Sequence, residues 1–411
     1  MARKANDPDR EFRPAPLPQA PLDERQRLAC LRLARSEGIG AVGFREVINR
    51  FGGAEEALDA LPEIAMEAGR GRSLRIPSKA DAERELDAAR RLGAVPLFTI
   101  EPGYPALLAF LDAPPPLIYA RGRLELLNRD GVAVVGSRDA SAAGRKFAQL
   151  LCRPLSEHGL VVISGLARGI DAAAHEASVS GGTIAVLAGG PDHVYPPEHD
   201  RLFAEIVDSG CIVSDRWPGY VPRGKDFPRR NGIISGLSHA VIVVEAARRS
   251  GTLVTARLAA EQGRQVFAVP GHPLDPRAEG TNRLLRDGAS IVTCAEDVIT
   301  SLRPALCAPR SFADTGASGF VTDPHEIGRH ELKPAEAKPE TSPPPHDADD
   351  ERARVLTALG PMPVEIDVLS QTTGLPIRAI RAALFDLRLI GAVHFHGAQL
   401  VSRAIPDVDQ N

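Results

Sequence analysis

The sequence predicts an α/β fold, a mostly parallel sheet covered by helices on both faces, with one helical module before it and a second small module after it. Two observations carry this. Between Gly131 and about Leu302, short apolar runs alternate with stretches of helical spacing, the order produced when crossover helices join parallel strands. The first run, Val132 to Val135 within GVAVVGSR, is apolar without alternation, as befits a strand buried on both faces.

The 411 residues, 43% of them hydrophobic, suffice for two or three domains with a real core. A net charge of -4 and a pI near 6.3 exclude a generally basic nucleic-acid binder, so any polyanion site must be a local patch. Cys30, Cys152, Cys211, Cys294 and Cys307 are odd in number and scattered. They fit neither a disulfide framework nor a CxxC metal site, and point to a reducing cytoplasm. The polar start MARKANDPDREFRP, and the lack of any apolar run near the roughly 20 residues that cross a bilayer, predict a soluble, unsecreted chain with no membrane segment.

Taken in order, residues 1–20 have the charged, Pro-rich composition of a disordered tail. Residues 21–94 read as a helical domain. Leu28, Leu31 and Leu33 lead into Gly38-Ile39-Gly40, and Phe44, Val47, Ile48 and Phe51 follow at helical spacing. Helix, GIG, helix resembles a helix-hairpin-helix, in which glycines let backbone amides approach a DNA phosphate; a tight interhelical turn in a packing domain explains the same residues. Helical stretches at Glu56 to Met66 and Ala80 to Leu92 complete this part. Residues 95–302 hold the sheet. A strand-like run from Val95 to Ile100 precedes Pro114–Pro116, which forbid regular structure, and Leu117 to Tyr119 read as a short strand joining the sheet edge. Seven further strands are expected at 132–136, 160–164, 183–188, 211–214, 240–244, 265–269 and 290–292.

Residues 303–350, rich in Pro, Ala, Ser, Thr and charge, read as a linker. Residues 351–403 then offer three helical patterns and a small hairpin around Gly397, the make-up of a winged helix. Its third helix, Ile377 to Leu389, would bury Ile377, Ile380, Leu384 and Leu387 and carry Arg378, Arg381 and Arg388 outward. That fold serves both DNA binding and protein docking.

In a sheet of this kind ligands sit beyond the carboxyl ends of the strands. After the first parallel strand, Gly136 and Ser137 can let amides face an anion, Arg138 adds a cation, and Ser141 is a candidate cap for the next helix. SGLARGIDAAAH, 164–175, frees the backbone at Gly165 and Gly169, places Arg168 between them, and offers Asp171 as a cap. WPGYVPRGKDFPRRNG, 217–232, is the densest basic cluster, with Arg223, Lys225, Arg229 and Arg230 interleaved with Trp217, Tyr220 and Phe227, and with Asn231 following. Cations between stacking rings suit unpaired nucleic acid; a solvated loop clamped by its aromatics is the alternative. At EAARRSGTLVTA, Ser250 or Thr252 can cap another helix. Four such turns on one rim fit a polymer with recurring phosphates.

Catalytic patterns are missing. GxxxxGK[ST], HExxH and GxSxG do not occur. His175, a helical His among alanines, reads as packing rather than as a base, and Asp192, His193, His199 and Asp200 match no metal-ligand spacing.

Six blocks in order, VAVVGSR (132–138), SGLARGIDAAAH (164–175), TIAVLAGGPDHVYPPEH (183–199), FPRRNGIISGLS (227–238), VVEAARRSGTLVTA (243–256) and FAVPG (267–271), resemble the DNA-processing protein A family, DprA or Smf. The resemblance implies an extended Rossmann-like domain flanked by an N-terminal SAM-like or helix-hairpin-helix-like module and a C-terminal winged helix. It implies sequence-independent binding of single-stranded DNA, homodimerisation, protection of incoming strands and loading of RecA recombinase during natural transformation, with no turnover and no cofactor. Arg138 and Arg168 are the pocket residues it favours, then Arg229 and Arg230. Where the family commonly reads FPRRNR, Gly232 stands in place of the last arginine, and His199 replaces an Asn in the YPPEH block. A different class stays open: a nucleoside-monophosphate glycosidase, whose PGGxGT turn and nearby glutamate Glu245 and Ser250-Gly251-Thr252 echo, without the Pro-Gly-Gly.

Overall fold

The computed structural model describes residues 21–67, 75–307, 348–360, 363–396 and 400–404. The expected N-terminal tail, most of the expected linker and the Gly397 turn lie outside the described residues. The chain divides into two compact units, one holding Glu24–Ser78 with the C-terminal module, the other holding the sheet and its helices.

In the first unit, α1 (Glu24–Ala34), α2 (Ala41–Phe51) and α3 (Ala54–Glu67) form the expected helical group. Leu31, Leu33, Phe44, Val47, Ile48 and Leu61 are its buried core. The turn before α2 depends on Gly38, whose φ of +81° is a conformation other residues rarely adopt.

The second unit is built on nine strands: β1 (Ala94–Phe98), β2 (Leu117–Gly122), β3 (Gly131–Val135), β4 (Val161–Ser164), β5 (Thr183–Val186), β6 (Cys211–Ser214), β7 (Ala240–Val243), β8 (Gln265–Ala268) and β9 (Ser290–Ile291), in the spatial order β1-β2-β6-β5-β4-β3-β7-β8-β9. β3 to β9 pair in parallel, whereas β1 and β2 are antiparallel. Leu117 to Tyr119 thus extend the parallel sheet as expected, with β1 added outside them. The helices are α4 (Lys79–Arg91), the short α5 (Ala106–Ala109), α6 (Ala142–Glu157), α7 (Ile170–Ser178), α8 (Asp200–Ser209), α9 (Asp226–Gly236), α10 (Thr252–Glu261), α11 (Glu279–Arg286) and α12 (Ala295–Cys307). α4 belongs with this unit, where its Glu85 accepts a hydrogen bond from the Tyr119 hydroxyl at 2.6 Å. α12 carries regular structure through Cys307, past the residue at which the linker was expected to begin.

β3 shows why its sequence lacks alternation. Val132 and Val134 point into a core with Leu151 and Leu155 of α6, Ala173 of α7 and Val298 of α12. Ala133 and Val135 point into the opposite core with Ile233 and Ile234 of α9 and Ala256 of α10. Both faces are covered, and each valine so buried stabilises the fold by about 1.5–3 kcal/mol. Because β3, β4, β5 and β6 run outward on one side and β7 returns to the other side of β3, the chain reverses direction across the sheet at β3, and the loops leaving these strands share one rim.

The C-terminal module consists of α13 (Ala348–Ala358), α14 (Ile366–Thr373) and α15 (Ile377–Leu389), with β10 (Val364–Glu365), β11 (Val393–Phe395) and β12 (Leu400–Arg403) in the antiparallel order β10-β12-β11. The expected hairpin therefore gains a third short strand. Ile380, Leu384 and Leu387 are buried as expected, but Ile377, at the first turn of α15, is 44% exposed. Arg378 and Arg381 are exposed. Arg388 is not simply outward, because it is half-buried and its guanidinium lies 4.9 Å from the Phe395 ring centre.

Within this unit α15 lies against α2. A Cβ on Gly43 would stand 3.7 Å from the Phe385 ring, and one on Gly40 3.3 Å from the Arg388 guanidinium. Asp386 receives Arg50 and Arg352, each at 3.6 Å. Burial pushes the Glu46 carboxyl up to about 7, against the pull of Arg381, Arg388 and Arg45.

Candidate nucleic-acid interface

The loops leaving β3, β4, β5 and β6 enclose a cavity of about 220 Å³ lined by Arg138, Gly165, Arg168, Tyr195, Phe227 and Arg230, with Glu198 as its acidic member. At its centre is the Phe227 ring, contributed by the first turn of α9. The Arg138 guanidinium lies 5.2 Å from the ring centre and that of Arg230 5.9 Å, while Tyr195 meets the ring edge to face at 6.0 Å. Guanidiniums beside an aromatic platform offer both phosphate pairing and base stacking.

The three arginines differ in role. Arg138 and Arg168 are exposed. Arg230 is only 5% exposed and donates to the Gly165 carbonyl at 2.6 Å and the Val186 carbonyl at 3.1 Å. Desolvation, with Arg138 adding to it, lowers its pKa despite the opposing pull of the facing Asp171 carboxylate. Asp171 itself is raised by burial, which outweighs Arg230 and the amides of Ala167 and Gly165. It does not cap α7 as the sequence suggested: the formal cap is Gly169, and the carboxylate accepts from Gly165 N at 3.2 Å and Ala167 N at 3.4 Å. Those amides face the protein's own anion rather than the cavity.

The neighbouring turns are closed in the same way. Ser141 caps α6, accepting from Gly144 N at 2.8 Å, and in turn gives its own N–H to Glu245 at 2.9 Å. The α10 cap is Gly251 rather than Ser250 or Thr252; Ser250 Oγ accepts from Thr252 N at 3.2 Å, and Thr252 Oγ1 donates to the Gly136 carbonyl at 3.0 Å. Ser137 Oγ accepts from Asp139 N at 3.2 Å. Gly136, Gly165 and Gly169 are small because Ile170, Arg230 and the Ser137 carbonyl, respectively, stand where their side chains would be. Ser250 and Thr252 thus tie β7's loop to β3's, across the point where the sheet reverses. The anion-attracting part of this rim is its side chains. Glu245, engaged by Ser141 and packed on Gly144, is committed to that tie and does not stand free as a glycosidase carboxylate would.

A second cavity, of about 570 Å³, opens on the far side of the start of α9, lined by Trp217, Tyr220, Arg223, Lys225 and Arg229 with the Arg216–Asp226 pair at its base. Asp226 is 2% exposed and accepts from Arg216, from the Tyr220 hydroxyl at 2.8 Å and from Arg223 N at 2.8 Å. Against the cost of its burial, these donors hold its carboxyl below the usual range. Arg229 pairs with the buried Asp215. Of the sequence-derived residues, Arg138, Gly165, Arg168 and Arg230 therefore share one cavity, Lys225 and Arg229 the other; Asn231, whose amide donates to the Gly251 carbonyl at 3.4 Å, lines neither.

Tyr195 and Glu198 were not foreseen as lining residues. The YPPEH block that holds them was weighed for metal ligation and as part of the family resemblance; an aromatic in a Pro-rich loop after a parallel strand was the signal available. Among the described residues no group of three His, Cys, Asp or Glu could hold a metal, and no helix is long and apolar enough to cross a membrane. His175 is fully buried, its Nδ1 bonded to Thr183 Oγ1 at 2.9 Å; burial, with His199 and Arg230 adding to it, pushes its pKa down to about 3. It is a neutral packing residue.

Three family models match in chain order: DNA recombination-mediator protein A over residues 96–303, the DprA-like N-terminal HHH domain over 24–88, and the DprA winged helix domain over 338–398. Protein Smf of Escherichia coli is 38% identical over 290 residues, covering 70% of this chain and 71% of that protein. Protein Smf of Synechocystis is 32% identical over 386 residues, covering 88% and 95%. The X-ray structure of DNA processing protein A from Streptococcus pneumoniae is similar with a TM-score of 0.56 at 30% identity, over 68% of this chain and 98% of that one.

Proposed function

Since the chain belongs to the DprA/Smf family of DNA recombination mediators, we propose that it binds single-stranded DNA without sequence preference through the rim of its parallel sheet. The observation that carries this is the cavity that gathers Arg138, Arg168 and Arg230, with the Arg138 and Arg230 guanidiniums set against the Phe227 ring. The exposed Arg138 and Arg168 guanidiniums would neutralise phosphates while the ring stacks an unpaired base, a combination that a duplex with its bases already stacked does not satisfy. Contacts to phosphates and to the face of a ring carry no base identity, which is why the proposed binding is indifferent to sequence. In this reading the protein works in the cytoplasm as a homodimer, shields incoming strands and hands them to RecA recombinase; no catalytic step and no cofactor enters.

The test is a comparison of single-stranded and duplex DNA across a salt series, with the full chain and with a chain lacking residues 351–411. If about four cations each neutralise one phosphate, log K falls against log salt with a slope near -3, from about -0.7 per contact. Arg138→Ala/Arg168→Ala should weaken binding and flatten that slope by about 1.4. Equal affinity for duplex, or a slope untouched by the double substitution, would overturn the reading. Transfer to RecA is read separately, from strand exchange on coated single strands in the presence and absence of the protein.

A further inference from the structure

We infer that the larger cavity beside α9 is a second nucleotide subsite, taking a base against Trp217 and a phosphate on Arg223 and Lys225, so that one strand occupies both cavities in succession. This rests on the single-strand reading above. The two cavities share the first turn of α9: Phe227 lines the smaller one, Arg229 lines the larger, and the adjacent Arg230 lines the smaller again. Consecutive helix positions point about 100° apart, so this turn divides one cationic surface into two compartments that a continuous backbone can cross.

The chemistry of the larger compartment fits a nucleotide. Trp217, 38% exposed, meets Tyr220 edge to face at 4.6 Å, and Tyr220 is held by its bond to Asp226 and by the Arg216 guanidinium 4.9 Å from its ring centre. The indole is therefore presented by a fixed support. The single acid of the lining, Asp226, is buried and saturated by three donors, so it takes little from the field at the mouth. Arg223 and Lys225 are exposed there. At about 570 Å³ the space falls in the range of small-ligand sites.

Trp217 is the only tryptophan of the 411 residues, so its emission reports on this subsite alone. Oligothymidylates of about four, eight and sixteen nucleotides, spanning the usual footprints of single-strand binders, are titrated into the full chain. Binding is followed in parallel by the anisotropy of a labelled strand. The inference expects the longer strands to quench Trp217 in step with binding. It expects Trp217→Ala to weaken them by about 5- to 150-fold, the range for one lost stacked base, and Arg223→Ala/Lys225→Ala to weaken them and flatten their salt slope by about 1.4, while the shortest strand is nearly unaffected. Arg138→Ala/Arg168→Ala should weaken every length. Strands that bind by anisotropy without changing Trp217 emission, and with affinity indifferent to Arg223 and Lys225, overturn the subsite and leave the single-strand reading standing. Quenching by free thymidine monophosphate at the same concentrations as by strands also overturns it, in favour of a free-nucleotide site. No anisotropy change at any length overturns the single-strand reading itself, and the subsite with it.

Discussion

Arg230 and Arg138 sit on the same aromatic ring, yet the structure separates what each does. Replacing Arg230 by methionine keeps much of the side chain's length and removes a guanidinium that is only 5% exposed. Two charge-assisted hydrogen bonds, at 2.6 Å to Gly165 and 3.1 Å to Val186, disappear. Each contributes about 1.5–3 kcal/mol, and the carbonyls they satisfied lose those donors. Asp171, 6% exposed, then faces the interior with its amide donors but without the nearest opposing charge. Removing one partner from buried charges of this kind costs about 3–5 kcal/mol. For a unit of roughly 220 residues that lowers Tm by about 10 °C. Denaturation followed through Trp217, which lies in this unit, measures the loss. In Arg230→Met/Asp171→Asn the stranded charge is gone, so part of the stability should return, with a coupling above about 1 kcal/mol. Arg138→Ala, at an exposed position, should instead cost less than about 1 kcal/mol and act on affinity. A loss under 1 kcal/mol for Arg230→Met together with zero coupling to Asp171 would refute the assignment of Arg230 as the brace of the cavity.

Gly169→Ala places a side chain at φ +77°, against the Ser137 carbonyl; it should destabilise by more than about 1–2 kcal/mol and loosen the Arg138 and Arg168 loops together, seen as weaker single-strand binding on top of a lower Tm. Ser141→Ala removes the α6 cap and should cost about 1 kcal/mol by urea titration. Glu46, raised to about 7 in the folded chain from an ordinary value of 4.5, holds its proton more tightly folded than unfolded. Its contribution is present in full below about pH 4.5 and is lost as pH rises through 7. Melts of the first unit's transition across that window should fall more steeply in the natural chain than in Glu46→Gln, and identical profiles would rule the effect out.

The sheet was legible because its buried parallel strands leave short apolar runs bounded by small-residue turns and alternating with helical stretches. All seven of its parallel strands lie within two residues of where those runs predict them. Residues such as Arg138, Arg168 and Phe227 could be nominated because strand-end loops must converge on one rim. What periodicity does not encode is which groups the protein satisfies internally. The Gly165–Ala167 amides, legible as an anion cradle, face Asp171; the start of α6 faces Glu245. Nor does sequence distance tell Arg229 from Arg230, whose helix positions send neighbours into different cavities. The contact between α2 and α15 was invisible for another reason: it joins segments some 340 residues apart through Gly43, Phe385 and Asp386, none of which carries a local signal of its partner.

Gly232 brings these threads together. The resemblance drawn from the FPRRNG block sets it where an arginine was expected, a reading by which the glycine removes a cation near the groove. In the structure it lies two residues beyond Arg230, about 200° around α9, on the side turned toward α10. A Cβ there would stand 3.8 Å from the Gln262 amide and 3.9 Å from Leu258, in ordinary contact, and the Gly232 carbonyl accepts from Gln262 Nε2 at 3.1 Å. Neither cavity is lined by it. An arginine at this position would root on the α10 flank of the helix, about 140° around from Phe227. What the glycine forgoes is therefore first a matter of helix stability, about 1 kcal/mol relative to a good helix former. The cationic surface that Arg138 and Arg168 present is assembled without it: the Arg168 loop is tied by Asp171 and Arg230 to Gly165 and Ala167, and the Arg138 loop by Ile170 N to the Ser137 carbonyl and Thr252 to the Gly136 carbonyl.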